Sequence, residues 1–204
     1  MSMMVMLTQL FLPLALLVWL AFYPAQNALV WSIQAVSVAA ILLGIGLAAL
    51  WTLPPFWTPY VYALLFVLII VCQLIRRVRP DRASGTTSVI NSLVIVIVAG
   101  LGVAGCYLAY NAAQGRVLPD EPVVDIAPPF APGSYLVAHG GSTPMVNVHL
   151  TTLDESVERF LPWRGQSKAL DIFRITPMGL HKSGWSPTDP ASYETFGVPV
   201  TAPC

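Results

Sequence analysis

The chain has 204 residues, of which 56% are hydrophobic and only 10% charged, and its formal net charge is zero. Because an average soluble domain carries about 25% charged residues, this composition excludes a protein that is soluble along its whole length. The charge is also unevenly placed: no Lys, Arg, Asp or Glu precedes Arg76, whereas residues 111–204 have an ordinary soluble composition. We therefore predict a membrane region over residues 1–110 and one small soluble part after it.

Four apolar runs predict four transmembrane helices. A helix needs about 20 apolar residues to cross the hydrocarbon core of a bilayer. The first run carries no basic residue before it, which favours an uncleaved span over a signal peptide, and Pro13 is expected to bend it. None of the runs contains an acid or a base, which argues against a pump or carrier and for an anchor or packing surface. The predicted spans are residues 3–22, 28–51, 57–75 and 89–110.

A basic cluster after the third span predicts the orientation of the protein. Arginine and lysine beside membrane spans are strongly biased to the cytoplasmic side. Four spans with this loop inside place both chain ends outside, so we expect a multi-pass protein of the bacterial inner (plasma) membrane with a periplasmic or extracytoplasmic C-terminal part. Topology explains the cluster, so the lipid bilayer is an expected partner and nucleic acid is not. The cluster consists of Arg76, Arg77, Arg79 and Arg82.

Small residues gather on two of the predicted spans and are candidates for helix packing. Glycine and alanine let the backbones of membrane helices approach closely, so these faces could pack within the chain or against other membrane subunits. The alternative is that small residues are simply common in such helices. The candidates are Gly44 and Ala48 in the second span, and Gly100, Gly102, Ala104, Gly105 and Ala109 in the fourth.

The soluble part divides into a linker and a segment that we predict to be mostly β. Residues 111–133 are rich in proline and are typical of an extended linker. From residue 134 onward, alternating or continuous apolar runs separated by glycine predict strands. The predicted strands cover residues 135–138, 145–150, 169–175 and 196–203.

Two motifs in this segment resemble the opening of a lysostaphin/LytM-type zinc metallopeptidase domain. The first is RGQSKALDI over residues 164–172, and the second is YETFGVPVTAP over residues 193–203. The resemblance implies an incomplete LytM-like β fold, a zinc-polarised water as the attacking group, and peptidoglycan as the partner of a full-length form. Its most specific positions are Gly197, Pro199, Val200, Ala202 and Pro203.

The resemblance carries over to the metal site only in part. Asp171 stands at the position of the family's metal-binding aspartate, but Ser167 occupies the position of the histidine four residues earlier. The family's downstream H-x-H would lie beyond Cys204. Because one ligand cannot hold zinc at a peptidase site, we expect these 204 residues to be inactive and to bind no cofactor, with zinc only in a longer form. The chain is then either part of a longer protein or a degenerate relative kept for another task.

His149 is the histidine that we expect to pair with Asp171, since both lie on predicted strands. For His139, His149 and His181, the competing interpretation is an ordinary surface or hydrogen-bonded histidine. For Asp171, it is a pairing with Lys168 or Arg174. The function predicted from sequence is a membrane-anchored, peptidoglycan-peptidase-like protein without activity as it stands. The alternative is a non-catalytic scaffold subunit of a larger membrane complex.

Overall fold

The computed structural model describes residues 2–23, 25, 27–52, 54–77, 89–118, 120, 127–184 and 187–201. The chain forms two compact units. The first comprises Met1–Ala49 and Trp57–Ala112, and the second comprises Leu50–Phe56 and Ala113–Cys204. The second unit thus combines the loop between the second and third long helices with the C-terminal half of the chain.

The first unit consists of long apolar helices. Four helices in the described part of the chain are long and apolar enough to cross a membrane, which confirms the predicted membrane-helical region. The last of them continues to Gln114, beyond the predicted end at residue 110, and Asn111 contributes by donating from Nδ2 to the carbonyl of Tyr107 at 2.8 Å. The helices are α1 (Ser2–Met6), a π-helical turn (Leu7–Phe11) and α2 (Leu12–Phe22) in one run, then α3 (Ala28–Ala48), α4 (Thr58–Arg77) and α5 (Val89–Gln114).

Pro13 gives a physical reason for the interruption in the first helical run. Proline has no backbone N–H, so it cannot donate to the carbonyl four residues earlier, which belongs to Gln9. The Tyr62 hydroxyl of α4 donates to that carbonyl at 2.8 Å. In a membrane a freed carbonyl needs such a replacement donor, because no water is at hand. The π-helical turn Leu7–Phe11, with Gln9 at its centre, lies directly before Pro13.

The core of the first unit lies where α2, α3 and α4 meet. Leu20 and Val38 are 1% and 0% exposed, and side chains from α4 cover them. At one end of these helices Gln73 accepts from Trp31 Nε1 at 2.6 Å and donates to the carbonyl of Leu20, which ties α4 to both α3 and α2. The core residues are Leu16, Leu20, Val38 and Ile41, flanked by Trp19, Leu42, Ile45, Phe66, Ile69 and Ile70.

Glycines bring α5 into backbone contact with α3. A Cβ on Gly105 would lie 2.6 Å from Ala40 C, and one on Gly44 would lie 2.5 Å from the carbonyl oxygen of Gly105. A Cβ on Gly102 would lie 2.7 Å from the Ser37 hydroxyl. These three glycines are therefore used inside the chain. Of the other predicted packing residues, Ala109 is buried, Ala48 is half-buried, Ala104 is exposed, and Gly100 has open space around its Cβ position.

The second unit contains less β structure than the sequence predicted. In its described part, β1 (Tyr135–His139) and β2 (Asp171–Arg174) form a two-stranded antiparallel sheet. The other regular elements there are 3₁₀ helices at Val148–Leu153, Glu158–Gln166 and Pro190–Ser192. The prediction of a mostly β segment is therefore wrong for these residues, although the strands predicted at 135–138 and 169–175 correspond to β1 and β2.

The strand predicted at residues 145–150 is a turn followed by a 3₁₀ helix. Asn147 accepts from the backbone N–H of His149 at 3.1 Å. The hydroxyls of Thr151 and Thr152 donate to the carbonyls of Val148 and His149, each at 2.7 Å. Such local side-chain bonds satisfy the backbone and compete with a strand ladder. The apolar run therefore folds on itself.

Several predicted features lie partly or wholly outside the described residues. Arg79 and Arg82 of the basic cluster do so, whereas Arg76 and Arg77 end α4. In the predicted linker, residues 119 and 121–126 fall outside, and Phe130 forms a single bridge with Val200. That bridge is all the strand pairing found at the described residues of the predicted strand at 196–203.

Candidate functional site

A register shift in the small sheet brings His139 and Asp171 together. Tyr135 pairs with Arg174 and Val137 with Ile172, but His139 pairs with Asp171, which leaves one extra residue in β1. Bulges of this kind re-aim the side chain that follows them. Directly opposed residues of an antiparallel pair have neighbouring Cβ atoms. His139, the last residue of β1, and Asp171, the first residue of β2, therefore lie next to each other at one end of the sheet.

His149 reaches the same carboxylate from the 3₁₀ helix Val148–Leu153. Its Nε2 lies 3.1 Å from Asp171 Oδ1, within hydrogen-bond distance. Asn147 holds this helix in place: it is 2% exposed, it caps the helix, and its Nδ2 donates to the carbonyl of Ala169 at 3.3 Å. The position of His149 is therefore set by a buried amide that links the 3₁₀ helix to the chain just before β2.

His139 completes a cluster of two imidazoles around one carboxylate. Its Nε2 lies 3.9 Å from Asp171 Oδ2, and its ring centroid is 5.9 Å from that of His149. The backbone N–H of Val148 donates to His139 Nδ1 at 3.4 Å. Burial is the main cause that lowers the pKa of His139 below 6.5, and nearby His149 lowers it further while Asp171 opposes the shift. We therefore infer a neutral ring whose proton sits on Nε2, facing Asp171.

The cluster is open on one side. The side chains of His139 and His149 are 20% and 23% exposed, and that of Asp171 is 40% exposed. A small ion or a polar group could therefore approach the carboxylate from solvent. Within the described residues, no group of three or more His, Cys, Asp or Glu side chains has a geometry that could hold a metal ion. His149 and Asp171 are thus two candidate ligands rather than a complete metal site.

His181 packs against aromatic rings and is not among the histidines that contact Asp171. It is 8% exposed and its ring lies 5.3 Å from that of Phe173 and 6.2 Å from that of Tyr193. Burial, and then the charge of Lys182, lower its pKa below 6.5. A hydrogen bond with the backbone of Thr52 opposes this shift, so His181 is a buried side chain held by aromatic rings and by the backbone. Ser167, at the position of the missing family histidine, ends the 3₁₀ helix Glu158–Gln166 and donates its N–H to Arg164 O at 3.1 Å.

Sequence reasoning missed the polar side chains inside the first unit, because it considered only acids and bases. Gln9, Gln34, Ser37 and Thr58 are all less than 9% exposed. Among the described residues, Gln9 Oε1, Gln34 Nε2 and Thr58 Oγ1 are buried atoms without a hydrogen-bond partner. Uncharged amides and hydroxyls in apolar helices were the available signal, since such groups bond across membrane helices.

Comparison with known proteins adds no family assignment, because no family model, curated protein or solved structure matches the chain significantly. The resemblance to the lysostaphin/LytM peptidases therefore depends on the two sequence motifs alone.

Proposed function

We propose that the protein is a membrane-anchored relative of the lysostaphin/LytM zinc metallopeptidases. In this proposal four helices anchor it in the bacterial plasma membrane, and its second unit lies on the extracytoplasmic side, facing peptidoglycan. These 204 residues have no peptidase activity by themselves. A full-length form would bind zinc and cleave peptides of the cell wall.

The observation that carries the proposal is the environment of Asp171. The resemblance of the motif at residues 164–172 implies a metal-binding role for this aspartate, and two imidazoles lie beside its carboxylate, with Nε2 atoms 3.1 and 3.9 Å from its oxygens. An aspartate at the start of a strand with a histidine nitrogen 3.1 Å away is a pairing that zinc sites use.

The membrane part supports the anchoring role. In the described residues of its four long helices, charged side chains occur only at Arg76 and Arg77, where α4 ends. The loop Leu50–Phe56 belongs to the same compact unit as the C-terminal half. Two helices, α4 and α5, separate these two segments along the chain, so both segments lie on one side if both helices cross the bilayer. The basic residues that end α4 would then lie on the opposite, cytoplasmic side.

The first experiment is to sequence the gene downstream of codon 204. An in-frame Gly-x-Val followed by H-x-H supports the family assignment. An in-frame continuation into unrelated sequence contradicts it.

The second experiment tests activity. The 204-residue chain in detergent micelles is incubated with peptidoglycan and zinc, and new amino groups are counted. We expect the wild type to release no more than Asp171→Asn. Peptide release that Asp171→Asn abolishes would contradict the predicted inactivity.

One observation favours the alternative function, a scaffold subunit of a membrane complex. Only 11% of an apolar 18-residue stretch of α4 is buried within the chain, so this helix offers a long apolar face to lipid or to another membrane protein. The scaffold function predicts stoichiometric co-purification with a partner from mild detergent extracts. Substituting leucines on the exposed face of α4, Leu64 and Leu68, with tryptophan should then release the partner, whereas a pure anchor should purify alone.

A further inference from the structure

We infer that the second unit rests on the lipid surface through four apolar side chains that gather where α5 ends. These side chains, which we call the interfacial patch, belong to Val117, Leu118, Val137 and Leu170, and each exposes more than half of its surface. The partner is the headgroup layer of the bilayer that the long helices cross. The inference rests on the anchoring part of the proposed function and is independent of any relation to a peptidase family.

The end of α5 marks the boundary between lipid and water. The part of this helix that is apolar and long enough to cross a membrane ends at Gln114. Tyr110, one turn earlier, is 64% exposed, and tyrosine is enriched at membrane–water boundaries. The N–H groups of Arg116 and Val117 donate to the carbonyls of Ala113 and Gln114 at 3.0 and 3.1 Å. The chain thus turns beside the end of the helix, which keeps Val117 and Leu118 at the level of the headgroups.

A contact between glycines brings the small sheet to the same boundary. The carbonyl of Gly115, the first residue after α5, accepts from the N–H of Ser142 at 2.8 Å. Gly141 has a φ of 128°, and a Cβ on it would collide with the Gly115 carbonyl oxygen. In turn, a Cβ on Gly115 would lie 2.5 Å from Val146 Cγ2. The turn that follows β1 therefore packs directly against the end of α5.

Val137 and Leu170 flank this turn. A Cβ on Gly140 would lie 2.8 Å from Val137 Cγ1 and 3.0 Å from Leu170 Cδ2, so both side chains lie beside the residue that precedes Gly141. Exposed apolar patches mark contacts with proteins or membranes, and removing apolar surface from water is favourable. Because this patch begins at the end of a membrane helix, the lipid surface is the partner that lies within its reach.

The interfacial patch also sets the height of the Asp171 cluster above the membrane. Leu170 directly precedes Asp171, and Val137 lies two residues before His139. With the patch on the lipid, the carboxylate and its histidines are held beside the headgroup layer. A molecule that binds to this cluster would therefore approach it along the membrane surface.

The test places a nitroxide label on single cysteines of the full chain, reconstituted at one chain per nanodisc in phosphatidylcholine and phosphatidylglycerol. The native cysteines, Cys72, Cys106 and Cys204, are first replaced by alanine. The labelled variants are Leu118→Cys and Leu170→Cys, and the matched control is Leu161→Cys, at a leucine of the 3₁₀ helix Glu158–Gln166 that is 52% exposed. Electron paramagnetic resonance then measures collisions of the label with oxygen, which concentrates in lipid, and with a nickel chelate, which stays in water.

We expect the ratio of oxygen to nickel collisions to be several-fold higher at positions 118 and 170 than at position 161. Equal ratios at the three positions overturn the inference. A label at position 170 that neither reagent reaches also overturns it, because protein rather than lipid then covers the patch. Circular dichroism checks that each variant is folded.

A measurement on the unsubstituted chain removes the dependence on variants. With ¹³C-methyl-labelled valine and leucine in the same nanodiscs, magnetisation from lipid protons should reach the methyl groups of Val137 and Leu170 before those of Leu161. Transfer to Val137 and Leu170 from water protons alone would contradict the inference.

The outcomes separate this inference from the proposed function. A patch in contact with lipid, combined with a second unit that reporter fusions place in the cytosol, keeps the inference and rejects a function at the cell wall. An exported second unit whose patch faces water rejects the inference and leaves the proposed function intact.

Discussion

Replacing Gly105 by alanine tests the contact between α3 and α5 at its tightest point. The new Cβ would lie 2.6 Å from both Ala40 C and Ile41 N, and 2.7 Å from Ala40 O. Ordinary carbon contacts are about 3.5–4.0 Å, so the two backbones would have to separate by roughly 1 Å. Because backbone atoms cannot turn away as a side chain can, the whole contact would loosen.

The expected size follows from two opposing terms. Overpacking costs about 1–3 kcal/mol, and replacing glycine by alanine inside a helix returns about 0.8–1 kcal/mol. We therefore expect Gly105→Ala to lower the free energy of unfolding by roughly 0–2 kcal/mol relative to the wild type, and by about 1–3 kcal/mol relative to a variant that gains the alanine without the overpacking. Gly100→Ala is the matched control on the same helix, because nothing lies within 4 Å of its Cβ position, and it should leave stability unchanged or raise it.

The assay is unfolding of the helical circular dichroism signal in mixed micelles with increasing SDS. The wild type and both variants are compared at the same detergent ratio, so that the difference in midpoint reports the packing term. If Gly105→Ala is as stable as Gly100→Ala, α3 and α5 do not make this contact in the folded protein.

Three further predictions address other parts of the chain. Tyr62→Phe should destabilise the helical unit by about 0.5–1.5 kcal/mol, because the Gln9 carbonyl loses its donor, while Tyr60→Phe, at a position 72% exposed, should have no effect in the same SDS titration. Asn147→Ala should lower the free energy of unfolding of the second unit by about 1–3 kcal/mol. The ¹⁵N spectrum of the variant should show that His149 no longer contacts Asp171, and unchanged His149 signals would contradict the anchoring role of Asn147. The second unit should also lose stability as the pH falls from 6.5 toward 5. Burial lowers the pKa of both His139 and His181 below 6.5, so in this range the unfolded chain binds more protons than the folded one. His181→Gln should make the free energy of unfolding depend less steeply on pH, and a variant with the same pH dependence as the wild type would contradict this explanation.

The membrane helices could be predicted because a bilayer imposes a length and a composition on any span. Their internal connections could not be predicted in this way. Pro13 indicated a bend, but the donor that replaces its missing N–H is Tyr62, 49 positions further along the chain, and only the packing of α2 against α4 identifies it. Gly44 and Gly105 were candidates for packing from their residue type alone; the structure adds that they meet each other.

In the second unit, the pattern of apolar residues predicts the wrong secondary structure for one segment. Residues 145–150 alternate as a strand would, but the short polar side chains of Asn147, Thr151 and Thr152 bond to nearby backbone groups and favour a 3₁₀ helix. The same turn brings His149 to Asp171. The sequence suggested this pair from residue chemistry, whereas it gave no signal for His139, whose position depends on a bulge in β1.

A reporter fused after Cys204 of the full chain shows whether the second unit lies outside the cytoplasm, on which the proposed function depends. Alkaline phosphatase gains activity only after export, whereas a fluorescent reporter of the type that folds only in the cytosol gives the opposite signal. We expect high phosphatase activity and no fluorescence from the paired fusions. Bright fluorescence with inactive phosphatase would place the His149–Asp171 pair in the cytosol and rule out a cell-wall function.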